Sequence, residues 1–281
     1  MSEESRARFA AEARGEAPDL ATLCLLMGFE ADLVDRNGEL DTVLAPSRRT
    51  LEQLAVRAAA ALGPAERPAA ETAAVLAGVL AGGADLRGGP GVYDRLESSL
   101  LHQVLRRGRG LPITVSVVWI AVGRLIGVPV HGVALPGHFV VGVGTPGEDC
   151  VLVDPFHGGR TLTLDDAARI TAEAGYALEH EMLRPAEPAD IVLRVLGNIR
   201  AWAAARPEHA RTQLWATELS LLLPRHPAQL RLERGELLVK TGRFTEGAAE
   251  MESYATILDA FDPESAQRVR FEARAARHRL N

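Results

Sequence analysis

The sequence predicts an α+β protein in which helices flank a small antiparallel sheet. Apolar residues recur at helical spacing through about the first 85 residues. In the middle of the chain, an apolar helix is followed by three short strand-like runs separated by glycine-containing turns. Beyond residue 189 the pattern returns to helix. A helix followed by neighbouring strands, rather than strands that alternate with helices, is typical of an α+β fold.

The composition is that of a globular chain without a basic face. Of its 281 residues, 47% are hydrophobic and 24% are charged, and the net charge at pH 7 is −6. An acidic balance disfavours nucleic acid as a partner. The two cysteines, Cys24 and Cys150, cannot form a disulfide framework and lack paired metal-ligand spacing. We therefore expect a reducing compartment.

No segment of the sequence has the pattern of a signal or a membrane span. The first twenty residues alternate charges and alanine without an apolar core. The longest apolar run, residues 115–122, is far below the roughly 20 residues that a span needs. We expect a cytoplasmic protein with neither a membrane nor a nucleic-acid partner.

Residues 1–85 are predicted to form an N-terminal helical region. One helix contains the apolar residues of segment 20–27, and Asp19 is its expected cap. A second helix covers 50–62 and ends at a Gly-Pro pair, and a third covers 72–81. Segment 82–94 contains five glycines and is predicted to be a loop. Five glycines raise the alternative of a phosphate-binding loop, but the missing Lys-Ser/Thr ending and the lack of a preceding apolar strand favour a flexible connection.

Residues 86–188 are predicted to form the α+β core. A helix is expected over 98–105, and Pro112 suits the first turn of the next. Segment 113–126 is apolar on nearly all sides, which predicts a buried central helix that ends at Gly127. Three strands are predicted to follow, over 130–135, 138–143 and 150–153.

Residues 189–281 are predicted to form four or five helices of similar length. Breaks fall at Pro207, 223–227, 241–242 and 262–263. One part approximates a single tetratricopeptide unit of roughly 34 residues. The residues that fit it are Gly235, Leu238, Gly242, Phe244, Gly247 and Tyr254. We interpret the region as one degenerate repeat with flanking helices.

A histidine and an aspartate stand at neighbouring strand ends in the core. His138 is predicted to open one strand, and Asp154 closes the next. A carboxylate against an imidazole orients the ring and raises its basicity. Hydrolytic sites of the Cys-His-Asp or Ser-His-Asp kind have this pair, with the nucleophile at a helix N-terminus. The helix that begins near Pro112 is in a position to supply it.

Four short motifs resemble those of a known bacterial family. They are Gly110-Leu-Pro-Ile-Thr-Val-Ser116, Gly127-Val-Pro129, Leu135-Pro-Gly-His-Phe139 and Val153-Asp-Pro-Phe156. In this order they resemble the SirB-type proteins, a transglutaminase-like family with a tetratricopeptide-like C-terminal part. Tyr93 and Arg194 fit the same pattern, and the resemblance covers about residues 80–260. It implies a papain-like core in which a central helix packs on an antiparallel sheet.

The resemblance also implies that the nucleophile of the active enzymes is missing. In active transglutaminases a cysteine starts the central helix, about fifteen residues before the Gly-Val-Pro-like turn; counting back from Gly127 reaches Pro112. His138 and Asp154 match the other two members of the triad. Glu97 replaces an asparagine that is usual in the family, so a role at that position is in doubt.

Other residues of the core are further candidates. Thr114 and Ser116 lie in the first turns of the central helix, and either hydroxyl would need His138 within hydrogen-bond reach to attack. The alternative is that both hydroxyls bond to helix carbonyls or pack internally. Glu97 is a possible catalytic or positioning residue. The candidate substrate-binding residues are Ser98, Arg107 and Phe139.

The sequence predicts neither a metal nor a cofactor. His131 and His157, with His138 and Asp154, raise the possibility of a metal site. However, the chain lacks a tight ligand motif such as H-E-x-x-H, and its histidines are loosely spaced. No cofactor fingerprint is present.

Two classes of function follow from this pattern. In the first, His138 oriented by Asp154 performs acid–base chemistry, without a covalent thiol, on a peptide or an amide-bearing small molecule. In the second, the domain is an inactive binding or accessory protein that recognises a peptide through its cleft and a protein through its C-terminal helices.

Overall fold

The computed structural model describes residues 3–32 and 40–278. Its α-helices are α1 (Glu3–Ala13), α2 (Leu20–Asp32), α3 (Leu40–Leu62), α4 (Ala69–Ala77), α5 (Leu101–Arg107), α6 (Pro112–Ile126), α7 (Leu164–Glu173), α8 (Pro188–Ala204), α9 (Ala210–Leu222), α10 (Gln229–Lys240), α11 (Phe244–Leu258) and α12 (Pro263–His278). Its strands are β1 (Val130–Val133), β2 (Val140–Gly144), β3 (Cys150–Asp154) and β4 (Arg160–Leu162). The α+β class predicted from the sequence is confirmed.

The chain forms two compact units. One is Ala17–Val195, and the other combines Met1–Glu16 with Leu196–Asn281. This division differs from the three stretches expected from the sequence. Helices α2 to α4 belong to the same unit as the sheet, because α3 packs against α6 and α4 packs against β2 and β3.

The four strands form one antiparallel sheet in the order β1-β2-β3-β4. Val133 pairs with Val140, and Val141 pairs with Val153. The prediction that His138 opens a strand is wrong, since its backbone NH donates to the Leu135 carbonyl in a turn at 3.2 Å. Strand β4 was not predicted; its Arg160 pairs with Asp154.

Helix α6 is the predicted central helix and has the predicted limits. Pro112 occupies its first turn, and Gly127 ends it with φ of 71°. Trp119, in its middle, is completely buried. The helix packs against β1 and β2 on one side and α3 and α5 on another, so it is the core of its unit.

The N-terminal helices differ from the sequence prediction at their ends. Asp19 caps α2 as predicted, since its Oδ1 accepts from the backbone NH of Thr22 at 2.7 Å. Helix α4 begins and ends earlier than expected and continues as a π-helix, Gly78–Gly83. The predicted loop therefore starts later, and the helix expected over 98–105 is divided between a 3-10 turn, Leu96–Ser99, and α5.

The C-terminal unit is helical, as predicted. Helix α10 packs against α9 and α11, and α11 packs against α12. Gly235 and Gly247 let α10 and α11 approach closely, because a Cβ at Gly247 would lie 2.6 Å from the Gly235 carbonyl oxygen. Among the helices of the described ranges, none is long and apolar enough to cross a membrane.

Candidate functional site

His138, Asp154 and His157 meet at one end of the sheet. The Nε2 atom of His138 donates to Oδ2 of Asp154 at 2.9 Å. The Nδ1 atom of His157 donates to the same oxygen at 2.7 Å. Asp154 is completely buried, the side chain of His138 is 11% exposed and that of His157 is 59% exposed. One buried carboxylate therefore holds two imidazoles.

The sheet and two turns position these side chains. Asp154 is the last residue of β3, where its backbone is fixed by pairing. The chain then turns back, and the backbone NH of His157 donates to Oδ1 of Asp154 at 3.2 Å. Arg194 of α8 donates to the carbonyls of Leu135 and His138, at 3.0 and 2.7 Å, and fixes the other turn.

The charges of the site keep Asp154 ionised. Burial by itself would raise the pKa of this carboxyl, but the hydrogen bonds and charges of His138 and His157 outweigh burial and lower it. Partial burial and the negative charge of Asp154 raise the pKa of Tyr93. The ring of Tyr93 lies 6.2 Å from that of Phe156, whose edge faces His138 at 6.0 Å.

A cleft opens beside the two histidines. Its other lining residues come from β4, α7 and the adjoining turns: Gly137, Arg160, Asp166, Arg169, Ile170, Glu173 and Ala174. Asp166 forms ion pairs with Arg160 and Arg169. It also closes a capping box with Thr163, which fixes the start of α7. The cleft wall is therefore polar and carries both signs of charge.

Pro112, Thr114 and Ser116 are buried in the first turns of α6. The Thr114 hydroxyl donates to the Ser98 carbonyl at 2.6 Å. The Ser116 hydroxyl has no hydrogen-bond partner among the described residues. Neither hydroxyl is bonded to His138, so the arrangement required for attack by Thr114 or Ser116 is not formed.

The remaining candidates lie away from the two histidines or in the core. Glu97 and Arg107 form an ion pair with each other at 3.4 Å. Ser98 is buried, and its carbonyl also accepts from the backbone NH of Leu111 at 3.0 Å. Phe139 is 1% exposed, beneath the guanidinium of Arg194. These side chains do not line the cleft beside His138, because pairing or burial holds them elsewhere.

The structure adds a third residue to this pair, one that the sequence analysis considered only as a possible metal ligand. His157 joins His138 and Asp154, and one donor atom from each residue lies within 4.8 Å of the others. His131 is not part of this group; it lies on β1 against Gly142. The signal for His157 was its position three residues after Asp154, which lets a tight turn return it to the carboxylate.

Comparisons with known proteins agree with this fold. The pattern that defines the Transglutaminase-like superfamily matches residues 45–197, more than half of the chain. A protein named UPF0162 protein from Xylella fastidiosa strain Temecula1 is 34% identical over 167 residues, which are 56% of this chain and 57% of the relative. Another UPF0162 protein, from Vibrio cholerae, is 25% identical over 51% of this chain and 54% of its own length.

More distant similarity extends to mammals. Mouse F-box only protein 21 is 27% identical over 47% of this chain and 22% of its own length. A crystal structure of menin aligns with 98% of this chain and 68% of the menin chain, with 16% sequence identity. The TM-score of 0.43 is too low to define a shared fold.

The α+β domain, with its central helix and four-stranded meander, is of the transglutaminase-like class. The chain belongs to the Transglutaminase-like superfamily. It spans about half the length of the curated relatives that it matches.

Proposed function

We propose that the domain performs acid–base catalysis on an amide bond of a peptide or of an amide-bearing small molecule, without a covalent thiol. One observation carries the proposal: the Nε2 atom of His138 donates to the buried Oδ2 of Asp154 at 2.9 Å beside an open cleft. A histidine oriented in this way is a general base or acid in many hydrolytic sites.

The hydrogen bond determines which ring nitrogen can act. Because a carboxylate only accepts, the proton of neutral His138 is on Nε2 and the lone pair is on Nδ1. In our proposal Nδ1 takes a proton from a water molecule while the oxygen of that water attacks the carbonyl carbon of the amide. The same nitrogen then gives that proton to the departing amine, so the net reaction consumes one water.

The absence of a cysteine at the start of α6 favours this noncovalent route. Pro112 stands where the resemblance to the SirB-type proteins implies that active transglutaminases have their thiol. Thr114 is engaged with a backbone carbonyl, and Ser116 is buried without a bond to His138. Water is then the nucleophile that the site can supply.

The lining of the cleft favours a polar ligand. Arg160 and Arg169 lie beside Asp166 and Glu173, so both signs of charge are within reach of one bound molecule. Peptides with free termini carry both signs. We place this activity in the cytoplasm, a proposal supported by two free cysteines, Cys24 and Cys150.

The test is a turnover assay on two probes: a pool of short synthetic peptides and N-blocked glutaminyl-glycine, followed by new amine and by ammonia release. We expect turnover by the wild-type protein, and a loss of about 100-fold or more in His138→Gln. His180→Gln is the matched control, since His180 is exposed and lies in a different turn. Turnover that His138→Gln leaves undiminished would overturn the proposal.

A second candidate function, as a binding or accessory protein, is favoured by the surface of the C-terminal helices. Phe261 and Phe271, between α11 and the end of α12, are 84% and 71% exposed. Aromatic side chains are enriched in protein–protein interfaces. In this reading the helices form the tetratricopeptide-like region that the sequence predicts and bind a partner protein. Turnover that depends on His138 would exclude a purely accessory role.

A further inference from the structure

We infer that His138, Asp154 and His157 form a binding site for one divalent transition-metal ion, of which Zn²⁺ is the expected occupant. The site shares two side chains with the proposed function, but its binding of an ion does not depend on catalysis.

The second imidazole is the observation that leads to this inference. Acid–base catalysis by His138 requires one carboxylate behind one ring. Here a second ring, that of His157, donates to the same oxygen of Asp154 at 2.7 Å and is 59% exposed. Two imidazoles and one carboxylate are a ligand set that Zn²⁺ uses in catalytic sites that keep one position open.

The distances among the donors suit an ion after small movements. Tetrahedral Zn²⁺ with bonds of about 2.0–2.1 Å holds its donors about 3.3 Å apart. The two nitrogen–oxygen distances are 2.9 and 2.7 Å, and the three donor atoms lie within 4.8 Å of one another. Each ring has to move its proton to its other nitrogen so that the facing lone pair can bind the ion. The ring of His157 is 59% exposed, which leaves it room to adjust.

The surroundings of the three donors support an ion. The backbone NH of His157 donates to Oδ1 of Asp154 at 3.2 Å, which leaves Oδ2 as the ligand atom and orients it. The open side of the group is the cleft, where Asp166 and Glu173 add negative charge and Arg160 and Arg169 add positive charge. Water or a ligand can therefore reach the fourth position.

Bound metal and the acid–base role of His138 exclude each other. An ion on Nε2 leaves the proton of a neutral ring on Nδ1, so the ring has no lone pair to accept a proton from water. The site therefore has two states, a proton-transfer state without the ion and a metal-bound state.

The experiment measures metal binding without any substrate. The full chain is stripped with a chelator and titrated with Zn²⁺ alone by calorimetry, and with Co²⁺ alone by visible absorption. We expect one ion per chain, and visible bands that indicate four-coordinate Co²⁺. In His157→Gln the Zn²⁺ affinity should fall by about 100-fold or more.

His131→Gln is the matched control, because His131 lies on β1 outside the group and should leave the affinity unchanged. Since His157 is exposed, its replacement is expected to keep the fold, which far-ultraviolet circular dichroism checks. No stoichiometric ion in the wild type, or equal affinity in wild type and His157→Gln, would overturn the inference. Because no turnover is measured, failure of the metal site and failure of the proposed catalysis are separate results.

Discussion

Thr114 and Ser116 lie two positions apart at the start of α6, yet their hydroxyl groups are held differently. Thr114 donates to the Ser98 carbonyl at 2.6 Å and joins α6 to the turn before α5. The Ser116 oxygen is buried without a partner among the described residues. A buried hydroxyl without a hydrogen bond costs free energy, whereas a satisfied one contributes about 1 kcal/mol.

We therefore expect opposite results from two small substitutions. Thr114→Val should lower the free energy of unfolding by about 1 kcal/mol, because it removes a satisfied donor. Ser116→Ala should leave that free energy unchanged or raise it, because it removes an unsatisfied one. Urea unfolding of both variants checks this. Marked destabilisation by Ser116→Ala alone would show that Ser116 has a partner.

Some side chains of the candidate site could be predicted from the sequence, and others could not. His138 and Asp154 were predicted as a pair from neighbouring strand ends, and they meet although His138 lies in the turn before β2 rather than on the strand. The position of His157 was not predicted, because it depends on a turn that folds back onto Asp154. Phe139 was expected to bind substrate, but its ring is buried beneath Arg194, a residue of α8 that is distant in the sequence and whose position the sequence does not give.

At the scale of elements, local signals predicted α6 and missed the two elements after β3. Pro112 and Gly127 mark the ends of α6 through backbone geometry alone, which needs no knowledge of the tertiary fold. Strand β4 has three residues and becomes regular only by pairing with β3. The start of helix α7 does carry a local signal, the capping box of Thr163 and Asp166.

Two glycines in helical segments are expected to respond oppositely to alanine. Gly127 has φ of 71°, a conformation that costs a residue with a Cβ about 1–2 kcal/mol. Gly78 has φ of −58° and ψ of −41°, and a Cβ there would have open space within 4 Å. Gly127→Ala should therefore lower the melting temperature, and Gly78→Ala should raise stability by about 0.5–1 kcal/mol. Calorimetric melting measures both. Equal and small shifts would contradict the assigned end of α6.

At the scale of the whole molecule, the two cysteines report on the integrity of the unit Ala17–Val195. Cys24 is 3% exposed, and burial, with a smaller contribution from Asp19, raises the pKa of its thiol to about 12. Cys150 is partly exposed at the start of β3, and burial together with Asp149 raises its pKa as well. Only the thiolate reacts, so both cysteines are slow at neutral pH, and Cys24 is the slower.

We expect a disulfide reagent at pH 8 to label one thiol per native chain and two per unfolded chain. Labelling of Cys150 should accelerate as the pH rises, since the thiolate fraction increases toward its raised pKa. Labelling of Cys24 should instead follow the rate or extent of unfolding. Cys150→Ser identifies which thiol reacts, and a native Cys150→Ser protein that labels rapidly would contradict the burial of Cys24.

The division into two units was the least predictable feature of the molecule. The sequence placed a boundary near residue 85, where composition changes and glycines accumulate. In the structure, helices α2, α3 and α4 belong to the same unit as the sheet. Helix α6 is apolar on nearly all sides and therefore needs neighbours around its whole circumference. The composition of the chain does not indicate which helices pack around α6.

The proposed acid–base role depends on which ring nitrogen of His138 carries the proton, and long-range ¹H–¹⁵N spectra of metal-free protein labelled with ¹⁵N-histidine show this. The signals of His138 are identified by their absence in His138→Gln. We expect neutral His138 to carry its proton on Nε2, bonded to Asp154, with the lone pair on Nδ1. A proton on Nδ1 instead would leave His138 without a lone pair for the cleft and would contradict the proposed acid–base role.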